Sequence, residues 1–169
     1  MKEALCNSPA LKTLDVSDGT GHIVLGVDAC LERWGAILQQ DDESKDRHLG
    51  RYESCLWNNA EKRYDPGICE CCGLMKALKQ FCNNLYEVRI LLQTDANTSV
   101  HELNLPAKDL PGALVTRWIA WIRLLDFDLK HVPGRLNGGP NGLSRRPRGE
   151  GELAPEEDND LEETIGASI

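Results

Sequence analysis

Three acidic residues in this chain occupy positions from which carboxylates can do chemistry together. Asp28 ends an apolar run over 22–27, and Asp95 ends a second one over 88–94. Strand ends are where open α/β sheets assemble their sites. Glu70 shares a helical face with Leu74, Leu78 and Phe81, which aims its carboxylate toward a sheet, where an unpaired charge is costly. No Lys or Arg adjoins any of the three, so inward-facing acids of this kind call for a cation, and hard oxygen donors suit magnesium or manganese. A single acid at a strand end also serves as a turn residue, and one near a helix start as a cap or dipole partner. Periodicity does not bring the three together, and both readings stand at this point.

The cysteines invite a different metal. There are seven (6, 30, 55, 69, 71, 72 and 82), three of them in Cys69-Glu70-Cys71-Cys72. A structural zinc site needs two ligand pairs spaced to close loops, and no histidine stands near this cluster. The odd count and the lack of an export signal also argue against a disulfide framework. Buried or incidental thiols are the expected outcome.

The elements that must position these groups follow from hydrophobic spacing. Short apolar runs over 22–27 and 34–40, with a weaker one over 47–52, predict an antiparallel meander. Leu74, Ala77, Leu78, Phe81 and Leu85 recur at helical spacing, with Pro66-Gly67 marking the approach. A dense apolar strand over 88–94 comes next, then a polar stretch. Leu110-Pro111-Gly112 opens a second helix, whose expected buried stripe is Leu114, Trp118, Trp121 and Leu125. Trp118 and Trp121 read as core residues before base-stacking platforms. Phe127, Leu129 and His131 alternate with polar residues as in a strand, which ends at Pro133-Gly134. Strands first and helices interleaved later predict a mixed α/β sheet.

At 169 residues, 41% hydrophobic and 27% charged, the chain suits one soluble domain. It has no apolar run of membrane-spanning length and no signal-peptide pattern at its start. The expected location is intracellular, cytoplasmic or nuclear, with no membrane partner. The formal net charge of −8 sets 27 acids against 19 bases. Eight of those acids lie in 149–169, where there is no Lys or Arg, which leaves nineteen acids against nineteen bases in the body. A neutral body with Arg135, Arg145, Arg146 and Arg148 near its end does not exclude a phosphate-rich partner. Three regions are expected: a lead-in segment over 1–18, a folded domain over 19–148, and an acidic, disordered tail over 149–169 that repels nucleic acid.

From about Thr13 to Pro147, roughly four-fifths of the chain, the sequence resembles the RNase H domain of gypsy-class long-terminal-repeat retrotransposon polyproteins, especially fungal ones. The blocks that carry the resemblance are IVLGVDACLERWGAILQQ, RYESCLWNNAEKRYDPGICECCGLMKAL, LLQTDANTSV, LPGALVTRWIAWIRLLDFDLKHVPG and GLSRRP. They stand in the family's order with nearly its spacing, which argues against a DNA-cutting integrase of similar fold. The resemblance implies the RNase H-like fold, a five-stranded mixed sheet flanked by helices. It also implies two divalent ions, Mg or Mn, that serve to cut the RNA strand of an RNA–DNA hybrid, by in-line attack of water and without a protein nucleophile. The family's ligands fall on Asp28, which bridges both ions, and on Glu70 and Asp95, which hold the ion nearer the leaving group. Implied substrate contacts are Asn97, Arg117, Arg145 and Arg146, with Arg123 as a further helix base. The remainder of the polyprotein is the implied partner, and the acidic tail resembles the start of a linker toward integrase.

The fourth ligand position departs from the pattern. Where the family carries an aspartate before Gly-Leu-Ser-Arg, this chain has Asn141. One neutral carbonyl oxygen replaces a full charge on the ion that activates the water. A loss of ~3 kcal/mol at the transition state slows the reaction ~100-fold. Ile68, Cys69 and Cys82 stand where fungal relatives carry basic residues, and no polymerase motif is present, so the sequence reads as a piece or a decayed copy. The alternative function is therefore a nuclease-dead hybrid-binding or scaffold remnant. By the same resemblance, Asn141 is expected beside Asp28.

Overall fold

The computed structural model describes residues 11–17, 19–85, 87–110 and 112–156. Five strands form one sheet: β1 (Ile23–Ala29), β2 (Arg33–Asp41), β3 (Arg47–Leu56), β4 (Ile90–Thr94) and β5 (Phe127–His131). Among the described residues four α-helices accompany them: α1 (Pro66–Leu85), α2 (Asn97–Asn104), α3 (Gly112–Ile122) and α4 (Gly138–Ser144). The strand order is β3-β2-β1-β4-β5. The first three strands are antiparallel, joined by short turns, while β4 and β5 run parallel to β1 after helical crossovers. This is the expected five-stranded mixed sheet flanked by helices.

Alternation along β1 divides the work of its two faces. Ile23, Leu25 and Val27 join Leu74, Leu78, Phe81, Trp118 and Ile119 in the main core. Val24, Gly26 and Asp28 face the other way, where α4 lies. There α4 comes so close that a Cβ on Gly35 would sit 2.6 Å from the Leu143 Cβ and 2.7 Å from the Ser144 nitrogen. Only glycine permits that approach.

Helix α1 begins at Pro66 rather than near Glu70. Asp65 caps it by accepting the Ile68 N–H at 3.0 Å, and proline suits the first helical position. In α3 the buried face is Val115, Trp118, Ile119 and Ile122. The expected stripe is thus rotated, since only Trp118 belongs to both, and Trp121 is half-buried. The polar stretch after Asp95 folds as α2, held by buried Ser99, Glu102 and Leu103. Arg123 is exposed and donates to the carbonyls of Leu103 and Leu105 at the end of α2.

Cys71 and Cys72 pack in the core, and burial pushes the Cys71 thiol up to about 12. None of the helices among the described residues is long and apolar enough to cross a membrane. Most of 1–18 and all of 157–169 lie outside the described residues.

In the first part of the acidic segment, Glu152 pairs with Arg33 at 3.0 Å and with Arg146 at 2.6 Å, because Arg33 on β2 is 1% exposed and its buried charge requires a counter-ion.

Candidate active site

Pairing between β1 and β4 sets the geometry. Val27 stands opposite Thr94 in parallel register, so Asp28, still paired with Gly35 on β2, and Asp95, just past the end of β4, stand side by side. Their carboxyl groups are hydrogen-bonding neighbours. Glu70 projects from the second turn of α1, and that helix is drawn against the sheet at Gly73, where a Cβ would lie 3.1 Å from the Ala29 Cβ. Asp28, Glu70 and Asp95 line one cleft of about 150 Å³, together with Arg145.

Asp28 is 5% exposed. Burial pushes its carboxyl up to about 6, and Asp95 beside it adds to the rise, while the Ser144 hydroxyl bond and the Arg145 charge act against it. Burial and a neighbouring acid both disfavour the charged form of the Asp28 carboxyl. Among the described residues, no three His, Cys, Asp or Glu side chains close tightly enough to form a ready-made ion cage.

The residue that touches Asp28 from α4 is Ser144, whose hydroxyl donates to Asp28 Oδ2. Sequence reasoning passed over it. Asn141, expected in that place, lies one turn earlier and toward Asp95. Its Nδ2 donates to the Gly134 carbonyl at 2.7 Å, and a Cβ on Gly134 would fall 2.8 Å from Asp95 Oδ2. The Asn141 Oδ1 is buried and has no hydrogen-bond partner.

The other candidates are dispersed. Asn97 is exposed at the first turn of α2, next to Ala96, which does line the cleft. Arg117 is exposed on α3 and does not line the cleft. Arg146 is committed to Glu152. His131 is exposed on β5, with its Nε2 3.3 Å from the Asp95 carbonyl. Beside the cleft lies a larger hollow of about 480 Å³, sharing Ala29, Glu70 and Arg145 with it and adding Lys62, Tyr64 and Cys30.

A family model described as the RNase H-like domain found in reverse transcriptase matches residues 18–125, and the chain belongs to that family. The enzymatic polyprotein of Carnation etched ring virus is 31% identical over 138 residues, 81% of this chain and 20% of that relative. The chain thus spans about a fifth of that polyprotein's length. RNase H1 from Halobacterium salinarum NRC-1 superposes with a TM-score of 0.53 at 18% identity, covering 74% of this chain and 94% of that one. The foamy viral protease-reverse transcriptase in complex with RNA/DNA hybrid gives 0.55 at 13% identity, covering 90% of this chain and 20% of the other. These likenesses establish the fold and the family. The family match ends before β5 and α4, so the Asn141 region stands outside it.

Proposed function

We propose that the chain is a hybrid ribonuclease domain of a gypsy-class, fungal-type retroelement reverse transcriptase, cutting the RNA strand of RNA–DNA hybrids with divalent metal. The observation that carries this reading is the convergence of Asp28, Glu70 and Asp95 on one cleft. Its donor set consists of hard carboxylate oxygens, and a cation would oppose the burial and the neighbouring Asp95 that push the Asp28 carboxyl up to about 6. Magnesium keeps several waters and takes one or two carboxylates plus substrate phosphate, so an open cleft without a finished cage fits it. When bound, such ions polarise the phosphate and stabilise its developing charge.

The chain's own residues supply the rest. By this reading Asp28, which lies between Ser144 and Asp95, would hold both ions. Glu70 and Asp95 flank it on the α1 and β4 sides. Asn141 offers a buried, unpartnered oxygen as a neutral fourth donor. Arg145 and Lys62 border the cleft and the adjoining hollow, where a phosphate backbone is held by charge. The partner by this reading is the hybrid, with the remainder of a polyprotein.

A second reading, hybrid binding without cleavage, is favoured by one observation: Asn141 supplies no charge and already spends its amide on Gly134. Incubating the chain with labelled hybrid and magnesium separates the two. Magnesium-dependent cuts in the RNA strand support the nuclease. Retention of hybrid with no cut supports the remnant.

A further inference from the structure

The segment that follows α4 is joined to the cleft by a continuous line of polar contacts. Arg33 donates from both terminal nitrogens to the two Glu152 oxygens, at 3.1 and 3.0 Å. The Arg33 Nη1 also reaches the Ser54 hydroxyl at 3.4 Å. That hydroxyl donates to the Leu143 carbonyl in the last turn of α4 at 2.9 Å. From the opposite side, Cys30 Sγ donates to the Ser144 carbonyl at 2.8 Å. The turn held between them presents the Ser144 hydroxyl to Asp28.

Glu152 acts on the other flank too. It takes Arg146 at 2.6 Å and the Gly149 N–H at 3.0 Å, while its own carbonyl accepts from Arg148. The chain therefore folds back on itself immediately after α4. Arg146 pairs with Glu152, and its neighbour Arg145 lines the cleft.

We infer that Arg33 and Glu152 are positioning residues for the cleft, acting through Ser54 and the last turn of α4 on Ser144, Arg145 and Asp28. The inference rests on the reading of this cleft as the reaction site. The energetic basis is the location of Arg33: a guanidinium 1% exposed cannot regain water if Glu152 withdraws. It must then shift, and Ser54 and α4 shift with it. The acidic segment after α4 thereby becomes part of the site's framework.

The test compares Glu152→Gln, Glu152→Asp and the exposed neighbour Glu150→Gln in the full chain, well below the melting temperature. Two readouts are taken, amide hydrogen exchange and magnesium-dependent hybrid cleavage. In Glu152→Gln, the Arg145 amide that bonds to Asn141 should exchange about tenfold faster, with the α1 core amides unchanged. Cleavage kcat should fall about tenfold while KM for hybrid stays within about twofold, the pattern of a lost transition-state interaction. Glu152→Asp should restore most of both, and Glu150→Gln should change neither. If Arg145 exchange is unaltered, or rises only in step with α1, the positioning role is overturned whatever the kinetics. If kcat holds while α4 loosens, the contact line does not reach the site, and the inference is overturned. If exchange responds as expected but the parent chain cuts no hybrid, the latch on α4 stands and the nuclease reading is what fails.

Discussion

Asp28 shows how much of this site depends on single atoms. Its carboxylate is buried beside another acid, and the Ser144 hydroxyl is the donor that compensates. Ser144→Ala should cost about 1–3 kcal/mol of stability, the penalty of a buried acceptor left short of its donor, and thermal melting checks it. A Ser144→Ala protein as stable as the parent would mean that the hydroxyl is dispensable. Asn141 gives a second prediction. Replacing its amide by a carboxylate removes the donor to Gly134 and places like charges around Asp95. Asn141→Asp should therefore melt lower than the parent without metal, and magnesium should raise its melting temperature more than the parent's. Equal metal responses would show that position 141 does not face an ion. The positions of Asp28, Asp95 and Glu70 were legible because apolar runs and one helical face point to them. Ser144 was not, since a small hydroxyl within Gly-Leu-Ser-Arg carries no periodic signal.

At the scale of elements, the sheet and the two long helices were readable from spacing, and the two short helices were not. α2 contributes only Ser99, Glu102 and Leu103 to the interior, too little apolar character to stand out from a polar loop. α4 reads Gly-Gly-Pro-Asn-Gly-Leu-Ser, a composition that favours turns. Tertiary packing makes it helical, through the close contact with Gly26 and Gly35 on β1 and β2. Gly35→Ala should accordingly cost about 1–3 kcal/mol, as overpacking does, and reduce cleavage by lifting Ser144 from Asp28. Gly142→Ala meets nothing within 4 Å and should be neutral or stabilising by up to about 1 kcal/mol. Calorimetry on the pair distinguishes a close seat from general sensitivity of this helix. Equal effects would contradict the packing account.

Across the whole molecule, Glu152 is the acid whose partner composition does not reveal. Eight acids without a base in 149–169 read as a solvated tail, because the partner of Glu152 lies more than a hundred residues away on β2. Arg33 and the Gly149 N–H hold the Glu152 carboxyl down to about 2, from an ordinary value of 4.5. A carboxyl depressed on folding contributes stability that is present above its ordinary range and is lost as pH falls through its folded value. Glu152→Gln should therefore melt several degrees below the parent near neutral pH, and the gap should close as pH falls from about 4.5 toward 2. A gap independent of pH would mean that the carboxylate charge is not what holds Arg33.

The central claim is that Asp28, Glu70 and Asp95 form a metal-dependent site that cuts the RNA strand of a hybrid. The most direct measurement follows an end-labelled RNA–DNA hybrid with magnesium in the parent chain, Asn141→Asp, and Asn141→Asp combined with Asp28→Asn. The account predicts magnesium-dependent cuts in the RNA strand alone, at least ~100-fold faster with Asn141→Asp, the scale of ~3 kcal/mol at a metal site. It predicts that adding Asp28→Asn abolishes that gain. Absence of cleavage in both the parent and Asn141→Asp, or a gain that survives Asp28→Asn, would contradict it.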